Sequence, residues 1–238
     1  GTLGVTGATT MSNNLTLNNA SGSQITLHRT DTTIANDDLY GQIILSGDDS
    51  DTNASGTRGY IRGRSQGSGG GLKMEFGTAG GGVAMGSDPR MTINADGIVT
   101  KPNQPAFKAS INTNAASPRT TTNTIFVSPY DTTQLNVGNH YSTSTYKFTA
   151  PVAGNYFFSI SQNKIGQLIV YFYKNGNVFH AGEFLQDSHP NWEHCTISCV
   201  IPMAASDYVE ARTRLNNNSQ TQYAYNGGST TWDSFSGY

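Results

Sequence analysis

Three kinds of residue in this chain could do chemistry: carboxylates near histidines, a cysteine pair, and glycine-rich loops. The acidic candidates are Asp131, Asp187, Glu193 and the run Asp48, Asp49, Asp51. Glycan cleavage needs two carboxyl groups held roughly 5 to 9.5 Å apart in a cleft. These residues lie instead in Gly- and Ser-rich stretches, where Asp reads as a turn former. Asp187-Ser188-His189, with His194 beside Glu193, has the residue types of a hydrolase triad, but no G-x-S-x-G elbow accompanies it. Cys195 and Cys199 stand four apart in H-C-T-I-S-C-V-I. In a strand they share one face at about 13 Å, too far for a disulfide. Without a companion Cys or His cluster they read as buried thiols that pack as small apolar groups. Gly77-Thr78-Ala79-Gly80-Gly81-Gly82 lacks the Gly-Lys-Ser/Thr of a phosphate loop, and no EF-hand-like ligand spacing occurs. The expectation is a protein that is not an enzyme and holds no metal or cofactor.

Binding is the better reading of the polar and aromatic loops. His189-Pro190-Asn191-Trp192-Glu193 and the run from Asn216 to Asn226 mix flat apolar faces with amide donors and acceptors, the combination suited to a binding loop on a rigid scaffold. The candidates are His189, Asn191, Trp192, Asn217, Asn218, Tyr223 and Tyr225. Ordinary loop composition, or aromatic packing at a seam between subunits, is the competing account of each.

The scaffold under these loops is expected to be all-β. Charged residues make up only 13% of the chain, and Gly, Ser, Thr and Asn crowd it. No window shows the apolar spacing of an amphipathic helix. A net charge of -2 gives no reason to expect nucleic acid, which needs clustered Lys and Arg. No run approaches the ~20 apolar residues of a membrane-spanning helix, so no membrane insertion is expected. The start at Gly1, without Met or the basic and apolar regions of a signal peptide, points to a processed chain or one with a portion preceding it.

Residues 1–27 carry no charged side chain, and L-T-L and Q-I-T-L alternate apolar and polar positions as short strands would. Further short strands are expected at 41–47, 58–63, 72–77 and 90–94, at a spacing of roughly 15 residues without a strict repeat. Such strands cannot each bury a face, so neighbouring chains should supply the missing contacts. Lys101-Pro102-Asn103-Gln104-Pro105 forms a stiff boundary. The organisation is therefore a β-rich stalk over 1–100, a linker at 101–104 and a larger β-domain over 105–238.

In that domain, strands are expected at 106–111, 124–128, 145–149, 155–161, 168–174, 195–202, 208–215 and 231–238. Tyr171 to Phe179 reads as a hairpin about Asn175-Gly176. In Y-V-E-A-R-T-R-L, Val209, Ala211, Thr213 and Leu215 share one face and Glu210, Arg212 and Arg214 the other. Tyr146 to Phe158, Y-K-F-T-A-P-V-A-G-N-Y-F-F, reads as two strands joined in a hairpin through Pro151 and Gly154. Tyr156-Phe157-Phe158 and Tyr171-Phe172-Tyr173 put large groups on both faces of a strand, more than one sandwich core can bury, so one face should meet another subunit.

K-F-T-A-P-V-A-G-N-Y-F-F resembles the central signature of the complement-type globular head. Pro105 to Ala109, Phe126, Tyr141, Tyr173 to Gly176, Asp207 to Glu210 and Phe235 to Tyr238 match that head in order. The resemblance implies a ten-stranded jelly roll of the tumour-necrosis-factor type, assembled as a compact homotrimer. The phrase R-M-T-I-N-A-D-G-I-V is similar to one that precedes the terminal domain of bacteriophage tail-fibre and virion-appendage proteins. Together the resemblances imply a virion fibre, on tail or capsid, with an extended trimeric stalk. Its head would bind a host cell-surface glycan or protein, and its N-terminal region would meet other virion proteins. A structural decoration, head-fibre or adaptor protein, and a glycan-degrading spike, are the alternatives.

Overall fold

The computed structural model describes residues 7, 15–48, 55–80, 86, 88–111, 123–164, 167–184, 193–215 and 233–238. No helix occurs among them. The chain divides into two compact units, Gly1–Lys101 and Pro102–Tyr238.

The first unit is a meander of five antiparallel strands: β1 (Leu39–Gly47), β2 (Gly56–Gln66), β3 (Gly71–Thr78), β4 (Met91–Ile93) and β5 (Val99–Thr100), paired in that order. Gly67 and Gly70 take the positive φ angles (75° and 81°) that the β2–β3 turn requires. L-T-L and Q-I-T-L, expected as strands, join no ladder. Alternation supplies a two-faced segment but not a pairing partner, and the outer edges of β1 and β5 stay unpaired among the described residues.

The second unit is a two-sheet, jelly-roll-like sandwich. Eleven strands lie in its described residues: β6 (Ala106–Ser110), β7 (Ile125–Val127), β8 (Thr132–Val137), β9 (Tyr141–Ser142), β10 (Lys147–Thr149), β11 (Gly154–Lys164), β12 (Leu168–Lys174), β13 (Asn177–Phe184), β14 (Glu193–Met203), β15 (Tyr208–Leu215) and β16 (Ser234–Gly237). One sheet runs β13-β12-β15-β10-β9, the other β14-β11-β16-β6-β8. β7 pairs with Arg212 to Arg214 of β15, while β10 pairs with Tyr208 to Glu210 of the same strand.

The segment expected as a hairpin from Tyr146 to Phe158 is instead a corner. β10 belongs to the first sheet and β11 to the second, so residues 150–153 carry the chain across the sandwich. The corner is fixed by backbone bonds from the Ala150 N–H to the Asp207 carbonyl (2.8 Å) and from the Ser206 N–H to the Ala150 carbonyl (2.9 Å). The Tyr156 hydroxyl donates to the Val152 carbonyl at 2.9 Å. Proline and glycine announce that a chain turns, but not which sheet it joins next.

Between the sheets lies an aromatic core of Phe107, Tyr130, Tyr141, Phe148, Tyr156, Phe158, Phe172 and Phe235. Phe107 stacks on Tyr141 with centroids 4.7 Å apart and meets Phe235 edge-on at 4.8 Å. Val209, Ala211, Thr213 and Leu215 face this core, as the alternation of β15 requires. The opposite face of that sheet differs from expectation. Tyr171 and Tyr173 point outward from β12 yet are only 8% and 7% exposed. The chain covers them itself: the Arg212 guanidinium lies 4.1 Å over the Tyr173 ring, and its Nε donates to Glu210 at 2.9 Å. Central position between β13 and β15 lets long side chains from one neighbour fold across the tyrosines. This pair therefore makes no demand for another subunit.

The β12–β13 hairpin forms at Asn175 and Gly176, both with positive φ (50° and 81°). Asp207, in the β14–β15 turn, ties that hairpin down. It accepts from the Asn175 side chain at 2.7 Å and the Ala204 N–H at 2.8 Å, and pairs with Lys174 at 3.0 Å. The Asn175 amide, then the Ala204 N–H, then Lys174, hold its carboxyl at about 2, below the ordinary 3.8. Because the folded value is the lower one, this stabilisation is complete above the unfolded carboxyl's pKa and disappears as pH falls through about 2. Asp207→Asn should therefore destabilise the head at neutral pH. In urea melts taken across the acid range, its deficit relative to the unaltered chain should shrink between pH ~4 and ~2.

Candidate functional site

β11 and β14 pair over eleven consecutive positions, from Gly154 opposite Met203 to Lys164 opposite Glu193. The pleat sends Tyr156, Phe158, Ile160 and Gln162 inward, with Cys195, Ile197, Ile201 and Met203 beside them. Outward go Phe157, Ser159, Ser161 and Asn163, opposite Val200, Ser198, Thr196 and His194. The outer face of this sheet is thus apolar at one end and hydroxyl-rich at the other.

At the apolar end Val200 is 57% exposed, and Tyr238 is 63% exposed with its ring centroid 5.4 Å from that of Phe157. The chain end is held there by a reciprocal backbone pair, Phe157 N–H to Tyr238 carbonyl at 2.9 Å and the reverse at 3.1 Å. In the middle, Ser236 stands opposite Ser159 on one side and Lys108 on the other. Further along, Ser161 bonds Thr196 through their hydroxyls at 3.1 Å and also bonds His194 Nε2, whose Nδ1 meets the Asn163 side-chain oxygen at 2.9 Å.

A serine, a histidine and an amide linked in this order have the connectivity of a nucleophile, a base and its orienting group. Their positions have a simpler origin. Asn163 and His194 are cross-strand partners and Ser161 is the next outward residue on β11, so the contacts follow from the pleat. They lie on a sheet surface whose neighbouring backbone groups are engaged in the ladder, not presented as donors to a reacting oxygen.

Beneath this end lies a polar cluster. Gln162 is fully buried, accepting from the Tyr130 hydroxyl at 3.0 Å and donating to Asp233 at 2.9 Å. Asp233 also accepts from the Asn163 backbone N–H at 2.6 Å, and the Cys195 thiol donates to the Gln162 carbonyl at 3.2 Å. Burial, with Asp233 nearby, pushes the Tyr130 phenol well above its ordinary value, so it stays a neutral donor.

All seven sequence candidates, His189, Asn191, Trp192, Asn217, Asn218, Tyr223 and Tyr225, lie outside the described residues, as do Asp187 and Ser188. Their attachment points are described. Phe184 and Leu215, which precede residues 185–192 and 216–232, both pair with Leu168. His194 and Asp233, just after those segments, meet at Asn163. Asn123, after residues 112–122, donates to the Leu215 carbonyl at 2.9 Å. The roots of all these segments converge on one end of the sandwich, over the Gln162 cluster. Ala106, where β6 starts, lies next to Phe107, which pairs with Gly237 at the Tyr238 end. The head's first strand therefore begins at the other end.

Among the described residues no group of three or more His, Cys, Asp or Glu could hold a metal ion. Cys195 and Cys199 form no disulfide with each other and lie on the inward side of β14. Burial pushes the Cys199 thiol up to about 11.

An all-β sandwich of two sheets closed on an aromatic core is the architecture of a jelly-roll-like globular head. The C1q domain family matches residues 106–238, more than half of the chain, and the chain belongs to that family. Among solved structures it is similar to the globular domain of the zebrafish complement 1qA protein, at 15% identity with a TM-score of 0.43, over 57% of this chain and 96% of that one. No curated protein matches.

Phe157 outside the sandwich was foreseeable from N-Y-F-F-S-I-S-Q-N, where it is the one large apolar residue in the outward register. The Gln162 cluster was not, because Gln162 and Asp233 are 71 residues apart. Native chain at pH 8 should leave both thiols unreacted with a maleimide for hours, whereas urea-unfolded chain should take up label at both. Mass spectrometry counts the adducts.

Proposed function

We propose that the chain is a homotrimeric virion fibre protein: a β-rich stalk unit followed by a jelly-roll head that binds a host cell-surface glycan or protein. Assembly is carried by one observation, the outward apolar group of Phe157, Val200 and Tyr238 on the β14-β11-β16 face. A sandwich has no use for these residues outside its own core, and water penalises their exposure at roughly 25 cal/mol per Å2. Against the same face of two sister heads they would be covered.

Adhesion is supported by the loop roots. Residues 112–122, 185–192 and 216–232 spring from one end of a rigid sandwich, and the last two contain the seven candidates. Three copies would give three equivalent weak sites, and simultaneous engagement raises avidity over single-site affinity by roughly 100-fold or more. The virion setting is supported by R-M-T-I-N-A-D-G-I-V in the first unit. In that setting the N-terminal region contacts other virion proteins.

Sedimentation of the full chain at micromolar concentration should give a trimer, and Val200→Asp should shift it toward monomer. A stable monomer would sink the assembly reading. Purified trimer should block adsorption of the source particle to its host, and the combined Trp192→Ala, Tyr223→Ala and Tyr225→Ala chain should block at least about tenfold less well. Unchanged blocking would remove those loops from the binding surface. No blocking by the unaltered trimer, with particle assembly intact, would make the head a structural trimerisation module.

A further inference from the structure

The five-stranded sheet of the first unit has two unlike faces. Across its centre, Ile43, Ile61, Phe76 and Met91 are successive cross-strand partners. The adjacent row on the same face is Gly41, Gly63, Met74, Ile93 and Val99. A third row begins Leu45, Gly59, Thr78. None of these residues is charged. The other face carries the row Gln42, Arg62, Glu75, Thr92, Thr100, where Glu75 is buried among Arg62 (2.6 Å), Lys73 (3.3 Å) and Arg64 (3.6 Å).

The charged face suits water. The uncharged one does not: Leu45 is 61% exposed, Ile43 52% and Ile61 41%. A sheet with one apolar face must bury it against a second layer, and the described residues of this unit form only one sheet. Partial cover comes from Leu27, which lies against Gly41 so closely that a Cβ there would come within 2.7 Å of its own, and from Ala35 and Asp38, which bond Ser65 at one end. An open groove of about 230 Å3 remains beside it, lined mainly by Leu27, Ile43, Ile61, Leu72 and Met74, with Tyr40 and Arg62 also contributing.

We infer that this face is covered by the same sheet of sister copies of the chain, with the Arg62–Glu75 face turned to solvent. Three strands of eight to eleven residues, with two short ones beside them, present roughly 500 Å2 in projection at standard strand spacings. One added peptide strand, about 5 Å wide, would leave most of that exposed, whereas a second sheet packed about 10 Å away covers it. The absence of charge along all three rows matches a permanent apolar contact between copies better than a reversible one with a charged surface protein. The inference rests on the trimer proposed above, which places sister copies within reach in equal number. It adds which surface of the first unit they share.

Thiol accessibility in the full-length assembly tests it. Ile61→Cys and, as a second probe at the same face, Leu45→Cys are each compared with Gln42→Cys on the opposite face, and the chain's own Cys195 and Cys199 set the background. In the trimer, the two apolar-face variants should react with a maleimide at least about tenfold more slowly than Gln42→Cys, and dissociation should abolish the difference. Equal rates in a chain that still sediments as a trimer would overturn this inference while leaving the head assembly standing. Protection that persists in a dissociated monomer would show that the chain covers its own face, and also overturns it. Protection appearing only when another virion protein is added would assign the face to that partner instead. A monomer with all sites equally reactive would remove the trimer and this contact together.

Discussion

The two-residue period of β11 is the constraint on which the head depends. With its neighbours β14 and β16 in fixed register, every inward position of Tyr156, Phe158, Ile160 and Gln162 commits an outward one. A one-residue slip would expose Phe158 and Ile160, both fully buried, and would draw Ser159 and Ser161 into an aromatic core with nothing to bond their hydroxyls. The register is therefore strongly enforced by the inside, and the outside inherits its arrangement. Phe157 and Val200 stand together for that reason, and so do Ser161, His194 and Asn163.

That coupling explains why the Ser161–His194–Asn163 contacts are better understood as a consequence of the fold than as a device. Hydrogen bonds among side chains on neighbouring strands form wherever small polar residues occupy facing positions. A catalytic constellation would need, in addition, donors aimed at a developing charge and a cavity to hold a substrate. The features that do distinguish this end of the head are underneath, where Gln162 joins Tyr130 to Asp233. A buried amide and a carboxylate cost a good deal to desolvate unless every partner is in place, so the cluster makes a rigid base near the points where residues 185–192 and 216–232 attach.

Much of this was legible in the sequence, and the limits have identifiable causes. Period-two patterns located β11, β14 and β15 closely, because each alternates apolar residues against a core, while β12 was legible as a continuous apolar run ending at the Asn175-Gly176 turn. Asn175-Gly176 gave its hairpin because only a few residues tolerate two consecutive positive φ angles. β8 escaped notice: Thr132 to Val137 is an edge strand with mostly polar residues, and it is held by its ladder to β6 more than by burial. The Tyr146–Phe158 corner was read as a hairpin because local turn chemistry is silent about which sheet a strand enters. Outward Tyr171 and Tyr173 were read as needing a partner because their cover comes from Arg212, 39 residues beyond Tyr173 and therefore invisible to any local pattern. The seven loop candidates rest on composition alone, whereas the convergence of their roots on Leu168 and Asn163 could come only from strand pairing.

The two units pose the same problem to different degrees. The head satisfies itself first, with two sheets closing on an aromatic core, and has a limited apolar patch left over at Val200 and Tyr238. The first unit has no second layer in its described residues, so its Ile43–Ile61–Phe76–Met91 row is surplus from the outset. A folded head that assembles through a modest patch can exist, at low concentration, as a single chain. A one-layer sheet with an open apolar face has no such option, because its fold and its cover are the same interaction. In the assembly proposed above, the order of events is head first, then sheet: sister heads would bring the first units together at high local concentration, and only then could those sheets bury their apolar faces.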